Sequence, residues 1–265
     1  MLPRRHAARR YRPAGGSITA IFADGSEAGG DLLVGADGVH STVRVRAFPG
    51  APAPVCAGYV GWRGVIDETA VPPAARGELL ESYAFYLPPR EMFLSYLQPG
   101  ADDDLTPGRR RMNWLWYHPV NAAALKDMST DASGRAHAAI PPPLIRLDVI
   151  AKFRQEARAI LPPQFIALTE ATPNAFFQPI FDLQSPRLVA GRAVLLGDAA
   201  FVARPHVGAG VAKAALNAAR LTDALSVGAY LEDPPRAGLK PDPVMLMQAI
   251  GVPLRDIPEV AATRR

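Results

Sequence analysis

Residues 191–210 read GRAVLLGDAAFVARPHVGAG, an apolar run that halts at Gly197-Asp198 and, ten residues on, a glycine pair that opens an alanine-rich stretch. A short buried strand ending in Gly-Asp puts a carboxylate at the carboxyl edge of a sheet, where open α/β folds bind their ligands. Ionised Asp198 can only accept hydrogen bonds, so it suits hydroxyl donors such as a sugar or a ribityl chain. Gly208, Ala209 and Gly210 then begin a helix expected over residues 208–226, and the free N–H groups and positive pole of such a helix favour developing negative charge. Either feature alone is also an ordinary turn or ordinary helix packing.

A second block, DLLVGADGVHSTVR at residues 31–44, supplies Asp31, Gly35, Asp37, Gly38, Ser41 and Arg44. Its pattern predicts a strand over residues 31–34, a sharp turn through Gly35-Ala36-Asp37-Gly38, and a short helix over 42–46 with Ser41 at the capping position. Asp37-Gly38 in isolation is a turn. What lifts it is its pairing with the first block at this separation.

Together the two blocks resemble the DG and GD fingerprints of the class A FAD-dependent aromatic hydroxylases, the flavoprotein monooxygenases that include para-hydroxybenzoate hydroxylase. The resemblance implies that Gly197 and Asp198 meet the ribityl chain of FAD, that Pro205 lies near the isoalloxazine ring, and that Gly208, Ala209 and Gly210 face the charge a reduced flavin gathers. Asp37, Gly38 and Arg44 would lie near the FAD, in a block implicated in NAD(P)H handling. Segments at residues 59–68 (YVGWRGVIDE), 110–120 (RRMNWLWYHPV), 141–148 (PPPLIRLD), 176–187 (FFQPIFDLQSPR) and 197–215 are similar to the 2,6-dihydroxypyridine 3-monooxygenase branch. That implies hydroxylation of an electron-rich, hydroxylated aromatic or pyridine ring with FAD as cofactor, NAD(P)H as co-substrate and dioxygen. His206 is the acid–base candidate, and Tyr59, Arg63, Asn113, Tyr117 and Gln178 are candidate substrate contacts. Trp62 and Trp114 are weighed as substrate contacts too, against the commoner role of such rings in sheet packing. Two positions depart from the family pattern. Phe201 stands where many relatives have His, and Asn217 replaces a frequent acidic residue, which is expected to weaken anchoring of the helix.

The elements that must hold these residues divide into four stretches. Residues 1–51 read as part of an FAD-binding domain, 52–183 as an antiparallel β-sheet substrate domain with covering helices, 184–227 as the return to the FAD-binding domain, and 228–265 as a proline-rich tail. The fold class is therefore α/β (α+β), an incomplete Rossmann-like domain with an inserted sheet. Residues 17–23 alternate as a strand, and Ala23-Asp24-Gly25-Ser26 makes a hairpin turn that leads to the strand at 31–34. Aromatic and β-branched runs at 59–66, 82–87, 92–97 and 111–118, divided by Pro, Gly and Asp, predict antiparallel strands. Helical spacing follows at 144–161, with Ile145, Val149, Ile150, Phe153 and Ile160 on one face. A shorter helix is expected at 163–170 and a returning strand at 174–183.

Bulk properties bound the rest. The 265 residues carry a net charge of +4, 29 basic against 25 acidic, too small a surplus for a dedicated nucleic-acid surface. Cys56 is the single cysteine, which suits a reducing compartment, and the cytoplasm is the expected location. No apolar run approaches the roughly 20 residues that cross a bilayer. The arginine-rich residues 4–12 have the composition of a transit peptide, but read more simply as a solvated basic lead-in. Relatives open with a GxGxxG turn that cradles the FAD pyrophosphate, and this sequence holds no such motif. Gly15-Gly16 and Gly29-Gly30 precede strands rather than helices. The chain is accordingly expected to be truncated and to pair as a homodimer or with the missing amino-terminal half. The rival readings are a non-catalytic remnant that binds a partner or substrate, and a flavin reductase or dehydrogenase on the same fold.

Overall fold

The computed structural model describes residues 8–226; the tail after residue 228 lies outside them. Those residues form two compact units, one from residues 8–55 and 181–226 and one from Cys56–Ile180.

The first unit begins with β1 (Ala8–Ala14), β2 (Ser17–Phe22) and β3 (Glu27–Gly30), a three-stranded antiparallel sheet in the order β1-β2-β3. Residues 8–12 of the basic lead-in thus lie in an exposed strand, which was not anticipated from the sequence. Gly15 and Gly16, both at positive φ, turn it back onto β2, and Arg12 reaches across to Glu27 at 3.3 Å. Charged side chains suit an edge strand because they blunt pairing with foreign strands. The partner of β2 is also not the expected 31–34 segment. Asp24 accepts from the Ser26 backbone N–H at 3.0 Å and from its hydroxyl at 2.6 Å, so the chain reverses early and residues 27–30 pair instead. The next strand, β4 (Leu33–Gly35), joins a different sheet. Helix α1 (Thr42–Ala47) follows, its first turn closed by the Ser41 hydroxyl, which accepts from the Arg44 N–H at 2.9 Å. A Cβ on Gly35 would come within 2.8 Å of the Val43 side chain. Only glycine lets α1 sit this close to β4.

The second unit is a five-stranded sheet in the order β6-β7-β8-β5-β9. Its strands are β5 (Val55–Asp67), β6 (Ala84–Tyr86), β7 (Met92–Gln98), β8 (Arg111–Pro119) and β9 (Phe176–Asp182). Helix α2 (Pro73–Leu79) follows β5 and α3 (Ala122–Met128) follows β8, neither anticipated from periodicity. The expected long helix is α4 (Leu147–Ile160), shortened because Pro142–Leu144 form a 3₁₀ turn, and α5 (Pro163–Glu170) falls where predicted. Register between β5 and β8, with Trp62 opposite Trp116 and Gly64 opposite Trp114, puts Val60, Trp62, Ile66, Met112, Trp114 and Trp116 on one face. That face packs on Ala75 and Leu79 of α2, Val149, Phe153 and Ala157 of α4, and Phe165 and Leu168 of α5. The four-residue spacing within α4 is the apolar stripe of an amphipathic helix.

The chain then returns to the first unit as β10 (Val189–Ala190), β11 (Ala193–Leu195) and α6 (Gly210–Ser226). Strand β11 lies parallel to β4 and antiparallel to β10. Ala193 and Leu195 share a small core with Ile18, Val43, Phe48, Ala199 and Ala200.

Candidate functional site

Strand β11 is fully buried, and directly beyond its end the chain enters the loop of residues 197–209. Gly197 sits at φ +57, and Asp198 emerges with its side chain 51% exposed. The loop is pinned on several sides. The Ser185 N–H donates to the Ala200 carbonyl at 2.8 Å and the Val202 N–H to the Leu183 carbonyl at 3.0 Å. Arg204 holds Asp182 with two bonds, at 2.8 and 2.6 Å, which fixes the backbone just before Pro205. Pro205 to Val207 form a 3₁₀ turn that closes on Gly208 in the left-handed region at φ +68. Helix α6 therefore starts at Gly210, two residues later than expected. A Cβ at Gly208 or Gly210 would meet nothing within 4 Å. The outer side of the loop is open, and the first N–H groups of a helix have no acceptor within it.

His206 keeps an exposed edge. The protein crowded around it lowers its pKa, helped by the Arg204 charge and opposed by Asp182. Asn217, expected to weaken the anchoring of α6, does the reverse: its amide oxygen accepts from the Gly197 N–H at 3.2 Å. An amide oxygen fills that acceptor role without a charge.

The DG block is tied to this loop from beneath. Arg44 is 1% exposed and donates to the Ala199 carbonyl at 3.0 Å and the Val39 carbonyl at 2.6 Å. Its Nε has no partner. Burial lowers its pKa and the Asp37 charge opposes the shift. Asp37 accepts from the Ser41 hydroxyl, and its other oxygen from the Thr42 and Val43 N–H groups at 2.7 and 3.2 Å. Both oxygens thus cap α1, as anionic side chains do at helix amino ends. Gly38, at φ +78, turns the chain into that cap.

Sequence reasoning missed Lys213. Its side chain is 1% exposed, and its ammonium donates to Asp198 at 2.9 Å and to the Phe201 carbonyl, 5.2 Å from the centre of the Phe201 ring. The one available signal was a lone lysine in an alanine-rich helix, which ordinarily reads as a solvated residue.

In the second unit the five candidate substrate residues fall on strands of one sheet. Tyr59, Arg63, Asn113 and Tyr117 alternate with the core residues of β5 and β8 and so share the face opposite the helices. Tyr59 and Tyr117 meet edge to face at 5.9 Å. They cluster with Leu94, Leu115, Met92, Tyr96 and Ile180, a group built from strand residues alone. Gln178, exposed, is two residues from Ile180 on β9. Burial pushes the Tyr117 hydroxyl up to about 12, with Arg63 opposing and Tyr59 and other tyrosines adding. Trp62 and Trp114 are core residues. Trp62 stacks on Phe153 at 4.2 Å, and the Trp114 ring N–H donates to the Thr172 hydroxyl at 2.8 Å. A cavity of about 250 Å³ lies on the helix-covered side, lined in part by Val60, Trp62, Phe153, His118 and Glu156. It contains none of the five, and His118 there is already engaged by Glu91 at 3.0 Å and Glu156 at 3.5 Å.

Among known proteins, residues 56–182 match the family described as FAD binding domain-like. The 2,6-dihydroxypyridine 3-monooxygenase of Paenarthrobacter nicotinovorans is 30% identical over 209 residues, covering 78% of this chain and 51% of that enzyme. The FAD-dependent urate hydroxylase of Klebsiella pneumoniae is 31% identical over 217 residues, covering 80% and 46%. The solved structure of 2,6-dihydroxypyridine-3-hydroxylase from Arthrobacter nicotinovorans superposes with a TM-score of 0.76 at 27% identity, over 86% of this chain and 57% of that one. The chain thus spans about half the length of the curated relatives it matches. No helix among the described residues is long and apolar enough to cross a membrane. Over most of its length the chain is thus similar to FAD-dependent aromatic hydroxylases, and its central sheet matches the FAD binding domain-like family.

Proposed function

We propose that the chain is the flavin-ring and substrate-binding part of an FAD-dependent monooxygenase that hydroxylates an electron-rich, hydroxylated aromatic or pyridine ring with NAD(P)H and dioxygen. The observation that carries this is the Asp198 loop: a half-exposed carboxylate at the end of a buried strand, beside the amino end of a 17-residue helix, with glycines open on the outer side. This donor and acceptor set fits the ring and ribityl end of FAD. When bound, FAD supplies the redox chemistry and oxygen activation, which no side chain of the protein can.

The residues of the chain then have separate tasks. Asp198 accepts from a ribityl hydroxyl, Gly197 lets the backbone approach, and Pro205, held by the Arg204–Asp182 pair, borders the ring. The N–H groups at Gly208, Ala209 and Gly210 stabilise negative charge at the adjacent flavin edge. Asp37, Gly38 and Arg44 shape the floor of that site, with the Asp37 carboxylate accepting three bonds from Ser41 and the start of α1. His206, with its lowered pKa, is neutral near pH 7 and able to take a proton from a substrate hydroxyl. On the sheet face, Tyr117 stays a protonated donor, Arg63 pairs with a substrate anion, and Tyr59, Asn113 and Gln178 orient the ring. The partner of this enzyme is a small aromatic molecule. A GxGxxG unit from a missing amino-terminal half or a second chain would hold the adenosine end, and the setting would be the cytoplasm.

Purified protein tests the reading. Visible flavin absorbance on adding FAD, NAD(P)H oxidation stimulated by a hydroxypyridine or phenol, and incorporation of one ¹⁸O atom from labelled dioxygen are the expected results. Protein that stays colourless and turns nothing over would identify a remnant. Turnover without oxygen insertion would identify a reductase.

A further inference from the structure

A lysine buried to 1% exposure is costly unless its charge is well used, and an apolar side chain of the same volume would pack at least as well. Lys213 sits in the first turn of α6, where the helix pole is already positive, so like charge adds to the cost. Two acceptors offset it, the Asp198 carboxylate at 2.9 Å and the Phe201 carbonyl, and the Phe201 ring lies within cation–π range at 5.2 Å. All three belong to the loop proposed to hold the flavin. Asp198 is therefore restrained through one oxygen, Oδ1, by a group on the buried side, while its side chain remains half exposed on the other.

We propose that Lys213 is the positioning residue of the flavin site. Its ammonium fixes the Asp198 carboxylate so that Oδ2 is presented to a ribityl hydroxyl, and its full charge, added to the pole of α6, favours the reduced over the oxidised cofactor. Phe201 is part of the same device: its carbonyl and ring hold the ammonium where a polar side chain would draw it toward solvent. The inference rests on the proposed flavin function and goes beyond it by assigning a charge that none of the expected contacts includes.

The test uses the 265-residue chain and its K213M and K213R variants, titrated with FAD and with riboflavin, which carries the ring and ribityl chain without the pyrophosphate. Flavin fluorescence gives the affinity and spectroelectrochemistry the midpoint potential. K213M is expected to weaken binding about tenfold and to disfavour the reduced form about tenfold, a fall of about 30 mV for a two-electron couple. K213R, which keeps the charge, should restore most of the potential. Should K213M fail to fold, the K213M/D198N double variant, which removes both charges, is compared with D198N and must show the same fall in potential. Weaker binding with an unchanged potential would mean that Lys213 only props the loop, and the inference would be overturned. So would unchanged binding, with the flavin function left standing. A wild-type chain that binds neither flavin would overturn the function and the inference together.

Discussion

In the antiparallel sheet the large buried side chains are rings, with Trp62, Trp114 and Trp116 all packed around Phe153. Around the Asp198 loop the large buried side chains are cations, and Arg44 and Lys213 each end on a backbone carbonyl of that loop. The sheet is stabilised by apolar area, which is non-directional and tolerant of small shifts. The loop is stabilised by a few directional bonds that specify where each carbonyl points. A substrate platform can be built the first way. A loop that must place one carboxylate needs the second.

This contrast can be broken by substitution. Trp114→Ala is expected to have the largest effect, about 3–5 kcal/mol of lost stability from cavity formation, read by urea unfolding of the whole chain; a loss under about 1 kcal/mol would show that the ring stack does not organise the sheet. Arg44→Met should cost less, about 2–3 kcal/mol for two charged hydrogen bonds. Its effect should be local, with faster amide exchange over residues 197–202 and unchanged exchange in β7 and β8. Tyr117→Phe should be the mildest, about 1 kcal/mol or less at neutral pH. Its signature is in alkali. The folded pKa of about 12 lies above the ordinary value near 10, so the fold binds that proton more tightly. The corresponding stability is complete below pH 10 and is lost as pH rises toward 12. The variant should lack that part of the alkaline decline in a pH series of melting curves.

The same contrast decides what could be read from the sequence. Alternation in β5 and β8, the apolar stripe of α4 and the Ser41 cap are local patterns, and each was legible to within a few residues. The helices α2 and α3, seven residues each, are too short for periodicity to declare themselves. Strand β1 was hidden by Arg9, Arg10 and Arg12, whose charge suggested solvent although only one neighbour, β2, was needed to make them an edge. The types of the residues in the Asp198 loop were visible in the two glycine blocks. Their bonding was not, because the Arg44 to Ala199 bond joins positions 155 apart and depends on carbonyl directions that no residue type records. Asp37 shows the limit most clearly: its position was anticipated, and its carboxylate is occupied with α1.

The parallel pairing of β4 with β11 joins Leu33 to Ala193, so one half of this sheet is synthesised about 160 residues before the other. Closing an open loop of that length costs about 4–5 kcal/mol of chain entropy. The intervening sheet lightens this cost, because the strands that lead into and out of it, β5 and β9, lie side by side. Two of the three strands of the small sheet that carries the Asp198 loop are therefore joined by a contact of very long range in sequence.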